Sequence, residues 1–288
     1  MFNVSIFARI GVASALAVVP FSVCAQSKPD PPQAVGVVSS VAANPTPPQG
    51  RVLGDEERKA LLSKTRKAYY NLRAHGVQEF RFDIQPDWDA FYASVSADQA
   101  GREQLLPILK KLRMQAVVGP TGGVTISREL DVAPPSDMIA GRERQVIGGI
   151  EQTLTGFFQT WSMEMVVPLP TAEADYQIEE LGQSYRLTYK DQSADVTTTL
   201  NHDLAIMKIE VVSSDMNAAV SPTLTEGEDG FVLTGYTGVY NGANLAVTMV
   251  SSKIDGVLLP TSVKVTVESN DLHIVFPFTF SNFVVKKL

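Results

Sequence analysis

Residues 261–280 read TSVKVTVESNDLHIVFPFTF, and the alternation within them decides the fold. Val263, Val265 and Val267 alternate with Lys264, Thr266 and Glu268. Leu272, Ile274, Phe276, Phe278 and Phe280 then take every second position, opposite His273, Val275, Pro277, Thr279 and Ser281. A side-chain period of two belongs to a strand that buries one face. Asn270-Asp271 separates the two runs, and such residues tolerate the positive φ of a tight hairpin. The stretch therefore predicts two antiparallel strands whose shared face is heavily aromatic.

Upstream, the same grammar repeats from about Tyr176. Tyr185, Leu187 and Tyr189 alternate with Arg186, Thr188 and Lys190. Ala205, Met207, Ile209 and Val211 form one expected face against Lys208 and Glu210, and Leu245, Val247 and Met249 form another. Asn201-His202-Asp203, Glu228-Asp229-Gly230, Asn241-Gly242 and Asp255-Gly256 supply the breaks. Short strands at regular spacing imply an antiparallel meander. A long sheet of this kind, apolar on one face, must cover that face or curl around it.

The covering elements are expected between Asp55 and Met165. Asp55 is a candidate N-cap, with Leu61, Leu62, Thr65, Ala68, Tyr69 and Leu72 at helical spacing up to about His75-Gly76. Phe80, Phe82 and Ile84 mark a first strand over Val77 to Ile84. Helical zones follow from Trp88 to Val95 and from Ala97 to Arg113, with Pro107 expected to start a shorter helix or kink it. A strand pair is expected at Gln115 to Val118 and Gly123 to Ile126. The strongest helical signal runs from about Ser136 to Met165, with Ile139, Val146, Ile147, Ile150, Leu154, Phe157, Phe158, Trp161 and Met165 on a wide stripe. The fold class is thus α+β: a curved antiparallel sheet with helices on its concave face.

Composition frames that fold. The chain has 288 residues, 44% hydrophobic and 19% charged, enough for a sizeable core. Residues 1–25 read as a secretory signal peptide: Arg9 is the lone charge, Ile10 to Val23 are apolar, and Val23-Cys24-Ala25 offers a cleavage site. The apolar run is short of the roughly 20 residues a spanning helix needs. Lipidation of Cys24 is the alternative processing. Cleavage after Ala25 would remove the sole cysteine, and with it any disulfide, thiolate site or cysteine nucleophile. Losing Arg9 also takes the formal net charge from −7 to −8, which disfavours nucleic acid. Residues 26–54, rich in proline, read as a disordered linker. Residues 55–288 then form a single domain, expected to be monomeric and periplasmic or outer-membrane-associated.

Motifs for chemistry are sparse. His75, His202 and His273 are scattered, and no HExxH, GxSxG, GxGxxG or phosphate-loop pattern occurs. Asn201-His202-Asp203 sets an imidazole beside a carboxylate, but a turn explains it equally well. The acidic pairs Glu56-Glu57, Glu179-Glu180 and Glu226 to Asp229 lack both an apolar setting and calcium-loop spacing. No catalytic residue, metal site or cofactor is expected, and the protein is read as non-catalytic.

What stands out is the aromatic content of helix and last strand. Phe157, Phe158, Trp161, Phe276, Phe278 and Phe280 either fill an ordinary core or wall an apolar ligand cavity. The order of elements, the Pro260-Thr261-Ser262-Val263 segment and the closing Phe278-Thr279-Phe280-Ser281-Asn282-Phe283 resemble the bacterial lipoprotein-localisation carriers over roughly Asp55 to Leu288. That resemblance implies an unclosed β-barrel lidded by helices, an acyl chain, lipid or lipidated protein as partner, transient contact with a membrane, and no cofactor. Two alternatives stay open: a protein-interaction module with a filled core, and a hydrolase whose site assembles only in three dimensions.

Overall fold

The computed structural model describes residues 50–95, 99–132, 134–214, 216–240, 242–269 and 272–288. The expected signal peptide, nearly all of the linker, and the Asn270-Asp271 turn lie outside them. The strands of the meander are β5 (Tyr176–Glu180), β6 (Ser184–Asp191), β7 (Ala194–Asn201), β8 (Ile206–Val212), β9 (Asn217–Gly227), β10 (Gly230–Tyr240), β11 (Ala243–Ile254), β12 (Val257–Ser269) and β13 (Leu272–Lys287). Each pairs antiparallel with the next. Four further strands extend the sheet: β1 (Arg51–Val52), β2 (Val77–Pro86), β3 (Arg113–Val118) and β4 (Val124–Glu129). β1 adds to β5, whereas β2 pairs with β13 and carries β3 and β4 beyond it. The result is one 13-stranded antiparallel sheet, not closed into a barrel, ending at β1 and β4.

Four helices accompany the sheet: α1 (Asp55–Lys67), α2 (Trp88–Ser94), α3 (Gln99–Leu109) and α4 (Asp137–Trp161). α4 starts where the sequence predicts, because the Ser136 hydroxyl accepts from the Ile139 N–H at 3.4 Å. Its stripe of Ile147, Ile150, Leu154, Phe157, Phe158 and Trp161 is buried. Thr160 hydrogen-bonds with Tyr236 on β10, while the ring of its neighbour Trp161 meets Phe80 on β2 at 5.7 Å. In a flat sheet those strands, four places apart, would lie about 19 Å from each other. The sheet therefore curls around α4.

Several boundaries differ from expectation, each for a local reason. The fold starts at Arg51, inside the expected linker: Arg51–Val52 pairs with β5, and Leu53 is buried. Gly54, not Asp55, is the N-cap of α1, and the Glu57 carboxylate reaches back to its N–H at 3.1 Å. α1 ends at Lys67 rather than near Gly76. There the chain leaves the helix to pair with β10: the Phe231 N–H donates to Ala68 O and the Tyr70 N–H to Phe231 O. α3 tolerates Pro107 inside its span. On β8 a bulge puts Thr199 opposite Lys208 and Leu200 opposite Ile206, which expels Met207 to solvent. The inward face is accordingly Ile206, Ile209 and Val211. A second bulge skips Thr261, so β12 begins at Val257 and Pro260 lies within it.

Candidate functional site

The six aromatics singled out from the sequence are all buried, and they fall into two abutting groups. The first gathers around Phe82 of β2, whose ring lies 5.3 Å from Phe158, 5.0 Å from Phe280 and 5.3 Å from Phe283. Phe157 and Trp161 complete it through Phe158, at 4.8 and 6.1 Å. The second group centres on α2. Phe91 stacks on Phe276 at 5.1 Å, and Phe276 on Phe278 at 6.4 Å. These offset and edge-on contacts at 5–6 Å are those of close-packed rings. Phe82 and Phe91 hold the two groups together, yet neither was among the six; the alternation of Phe80, Phe82 and Ile84 was the signal for the first.

An apolar cavity of about 30 Å³ lies elsewhere, beside the far end of α4. Its roof is the segment from Gln159 to Pro168: the last turn of α4, the 3-10 turn Ser162–Glu164 and the turn and bend residues after it. Its floor is Ile209 and Val211 of β8, Ala218, Val220 and Pro222 of β9, and Leu233 and Tyr236 of β10. The gap has a plain cause. At this point β9 presents only Ala218, Val220 and Pro222, small side chains set between Ile209 of β8 and Leu233 and Tyr236 of β10. None of the six aromatics lines it, and neither does any charged residue. Gln159, Thr160 and Ser162 are its polar roof atoms, and their hydroxyls are satisfied locally: Thr160 donates to Gly156 O at 3.2 Å and Ser162 to Gln159 O at 2.6 Å. A volume of 30 Å³ takes a water-sized group. An acyl chain would have to lift the roof.

Glu164 closes the 3-10 turn in the middle of that roof and is the one buried acidic residue among those described, 5% exposed. Its Oε1 accepts the Leu233 N–H at 2.6 Å, and its backbone carbonyl accepts the Leu72 N–H at 2.9 Å. The Leu233 N–H is available because β10 bulges between Leu233 and Gly235. Oε2 is buried with no hydrogen-bond partner. Burial pushes the carboxyl up to about 8, and the single bond from Leu233 opposes this only in part. Nearby, the Tyr70 hydroxyl accepts from Leu258 N–H at 2.8 Å, and burial raises its pKa as well.

The histidines do not converge. His75 Nε2 lies 3.7 Å from Asp229, His202 Nε2 contacts the Gly182 carbonyl at 2.6 Å, and His273 Nδ1 contacts Glu268 at 3.1 Å. His202 is thus a turn residue bound to backbone. Among the described residues no group of three or more His, Cys, Asp or Glu could hold a metal ion. A broad polar cleft of about 1230 Å³ opens on the outer side of β13, β2, β3 and β4. Its ionic groups are paired, as in Lys110 with Asp89 at 2.8 Å and Arg113 with Glu129 at 3.2 Å. Asp83 accepts from Asn282 and Gln115, which holds its carboxyl below the usual range. No helix among the described residues is long and apolar enough to cross a membrane.

Comparison of the chain with known proteins adds no relative to this geometry: no protein family, no curated protein and no solved structure matches it.

Proposed function

We propose that this is an exported, non-catalytic protein that binds a hydrophobic ligand, an acyl chain or a lipidated polypeptide, between the Gln159 to Pro168 roof and strands β8 to β10. The observation that carries this reading is the uncharged cavity under a roof containing Met163 and Pro168 rather than regular helix. Methionine adapts its shape readily, and beyond Trp161 the roof is a single 3-10 turn and a bend rather than a long regular helix, so few backbone hydrogen bonds hold it. The open sheet wrapped around α4 is consistent with the lipoprotein-carrier resemblance, and the leader-like first 25 residues favour the periplasm or outer membrane. In this reading Phe157, Phe158, Phe276, Phe278 and Phe280 form the rigid wall against which the roof moves, and Trp161 anchors the roof's helical end to that wall through Phe158 and Phe80. Apolar burial is worth about 25 cal/mol per Å², so roughly 200 Å² of buried chain yields about 5 kcal/mol without any polar contact.

Native mass spectrometry of the purified protein, with lipid extraction alongside, tests this. A co-purifying lipid, or saturable uptake of the neutral probe N-phenyl-1-naphthylamine, is the expected result. A folded sample that carries no lipid and leaves the probe dark would rule the reading out in favour of an interaction module.

A further inference from the structure

The geometry points to Glu164 as a proton-controlled latch that holds the Gln159 to Pro168 roof against β10. Two contacts and one unpartnered atom argue for it. The Glu164 side chain bonds the roof to the bulge on β10 through Leu233, itself a floor residue of the cavity. Its backbone carbonyl bonds the roof to Leu72, in the segment after α1. The same carboxyl keeps Oε2 buried and unpartnered, an arrangement a neutral acid tolerates far better than an anion. Roof residues Ser162 and Met163 immediately precede it, so any displacement of Glu164 toward water carries the cavity wall with it.

Loss of the proton leaves a carboxylate with one backbone N–H for company. The anion is relieved by moving to solvent, which releases the Leu233 N–H and lifts the roof. The titratable group facing Glu164 is Tyr70, with Asp229 and His75 beyond it; His75 stacks on Tyr70 at 4.9 Å and lies 3.7 Å from Asp229. No cation stands against the carboxyl in this arrangement, so nothing described there compensates the charge. As a gate for ligand the latch rests on the binding proposed above; as a conformational device it does not.

Hydrogen exchange on the purified protein at pH 6 and pH 9, corrected for intrinsic rates, reads the latch without any ligand. Protection at residues 163–167 and at Leu233 should fall roughly tenfold or more at the higher pH, while Ile147 to Leu154 of α4 hold theirs. Glu164→Gln, which keeps an oxygen for Leu233, should abolish the step. Tyr70→Phe and His75→Asn should retain it. A wild type without the step, or a Glu164→Gln protein that still shows it, overturns the latch. Binding of N-phenyl-1-naphthylamine at the same two pH values separates the two proposals. A probe that never binds while the exchange step persists removes the ligand reading and leaves the latch intact; binding that is independent of pH in the wild type overturns the latch as a gate.

Discussion

The two halves of the interior are built from different materials. Under α2 and the Phe157, Phe158 and Trp161 face near the end of α4, strands β13 and β2 present Phe276, Phe278, Phe280, Phe80 and Phe82, and rings interlock at about 5 to 6 Å. Under the roof beyond Trp161, strands β8 to β10 present Ile209, Val211, Ala218, Val220 and Leu233, and a gap remains. Aromatic rings are large and rigid, so strand alternation alone brings them into mutual contact. Small β-branched side chains and alanine are fixed close to the backbone, and the turn that ends α4 does not reach down to their contour. One continuous core can thus contain a solid half and a hollow half on the same sheet.

The most severe way to break that contrast is Phe278→Asp. Phe278 is 2% exposed and lies between Val263 of β12 and Pro86 of β2. A carboxylate there has no partner, and the loss should exceed about 5 kcal/mol, comparable with the whole stability of an ordinary domain. Circular dichroism should show no cooperative melt. A folded Phe278→Asp protein would mean the aromatic half is as open as the other.

Next in size is the pH dependence contributed by Glu164. Its folded pKa of about 8 stands above the ordinary carboxyl value of 4.5, so the folded state holds the proton longer than the unfolded chain does. The stability is therefore complete below about pH 4.5, declines as pH rises from there to about 8, and then levels off. The total should be on the order of 3 kcal/mol, since each pKa unit is worth about 1.4 kcal/mol before relaxation of the site. Urea unfolding across that window checks it, and Glu164→Gln should flatten the slope. An unchanged slope in the variant would place its origin elsewhere.

A gentler test fills the gap. Val220 is half-buried on the cavity floor, paired with Ile209 of β8 and Gly238 of β10. Val220→Phe overfills a gap of about 30 Å³ and should cost roughly 1 to 3 kcal/mol, less than a buried charge. Uptake of an apolar probe should nonetheless fall by about tenfold or more, as a ring occupies the volume the ligand needs. Full uptake by a well-folded Val220→Phe protein would move the ligand away from this cavity.

Much of the solid half was legible in the sequence. The even positions of β13, the Ser136 start of α4 and its buried stripe follow from spacing and cap chemistry alone, as does the Asp255-Gly256 turn, where both residues have positive φ. The hollow half was not. Ala218, Val220 and Pro222 do alternate on β9, but small residues give a fainter periodic signal than rings do. The end of α1 depends on Phe231, far along the chain, and no local pattern announces it. The bulges that expel Met207 and reset β13 between Ser281 and Val284 break the period of two just where it was being read. Pairing of β13 with β2 joins the chain's last strand to an early one, a contact set by tertiary packing.

The smallest expected effect sharpens the comparison at its border. Tyr236 ties floor to roof: its ring forms part of the cavity floor, and it hydrogen-bonds with the roof residue Thr160 on α4. Burial raises its pKa, so the hydroxyl stays neutral throughout the range in which Glu164 titrates. Tyr236→Phe removes that bond, but Thr160 keeps its own at Gly156 O, so no buried donor is stranded. The cost should be about 1 kcal/mol or less, the net worth of an ordinary hydrogen bond. Meanwhile the floor becomes wholly apolar, and affinity for a neutral apolar probe should stay level or rise by up to about threefold. Calorimetric melting and a probe titration measure the two quantities on one sample. If affinity instead collapses while the melting temperature holds, the hydroxyl itself recognises the ligand, and the ligand's buried end must carry a polar group.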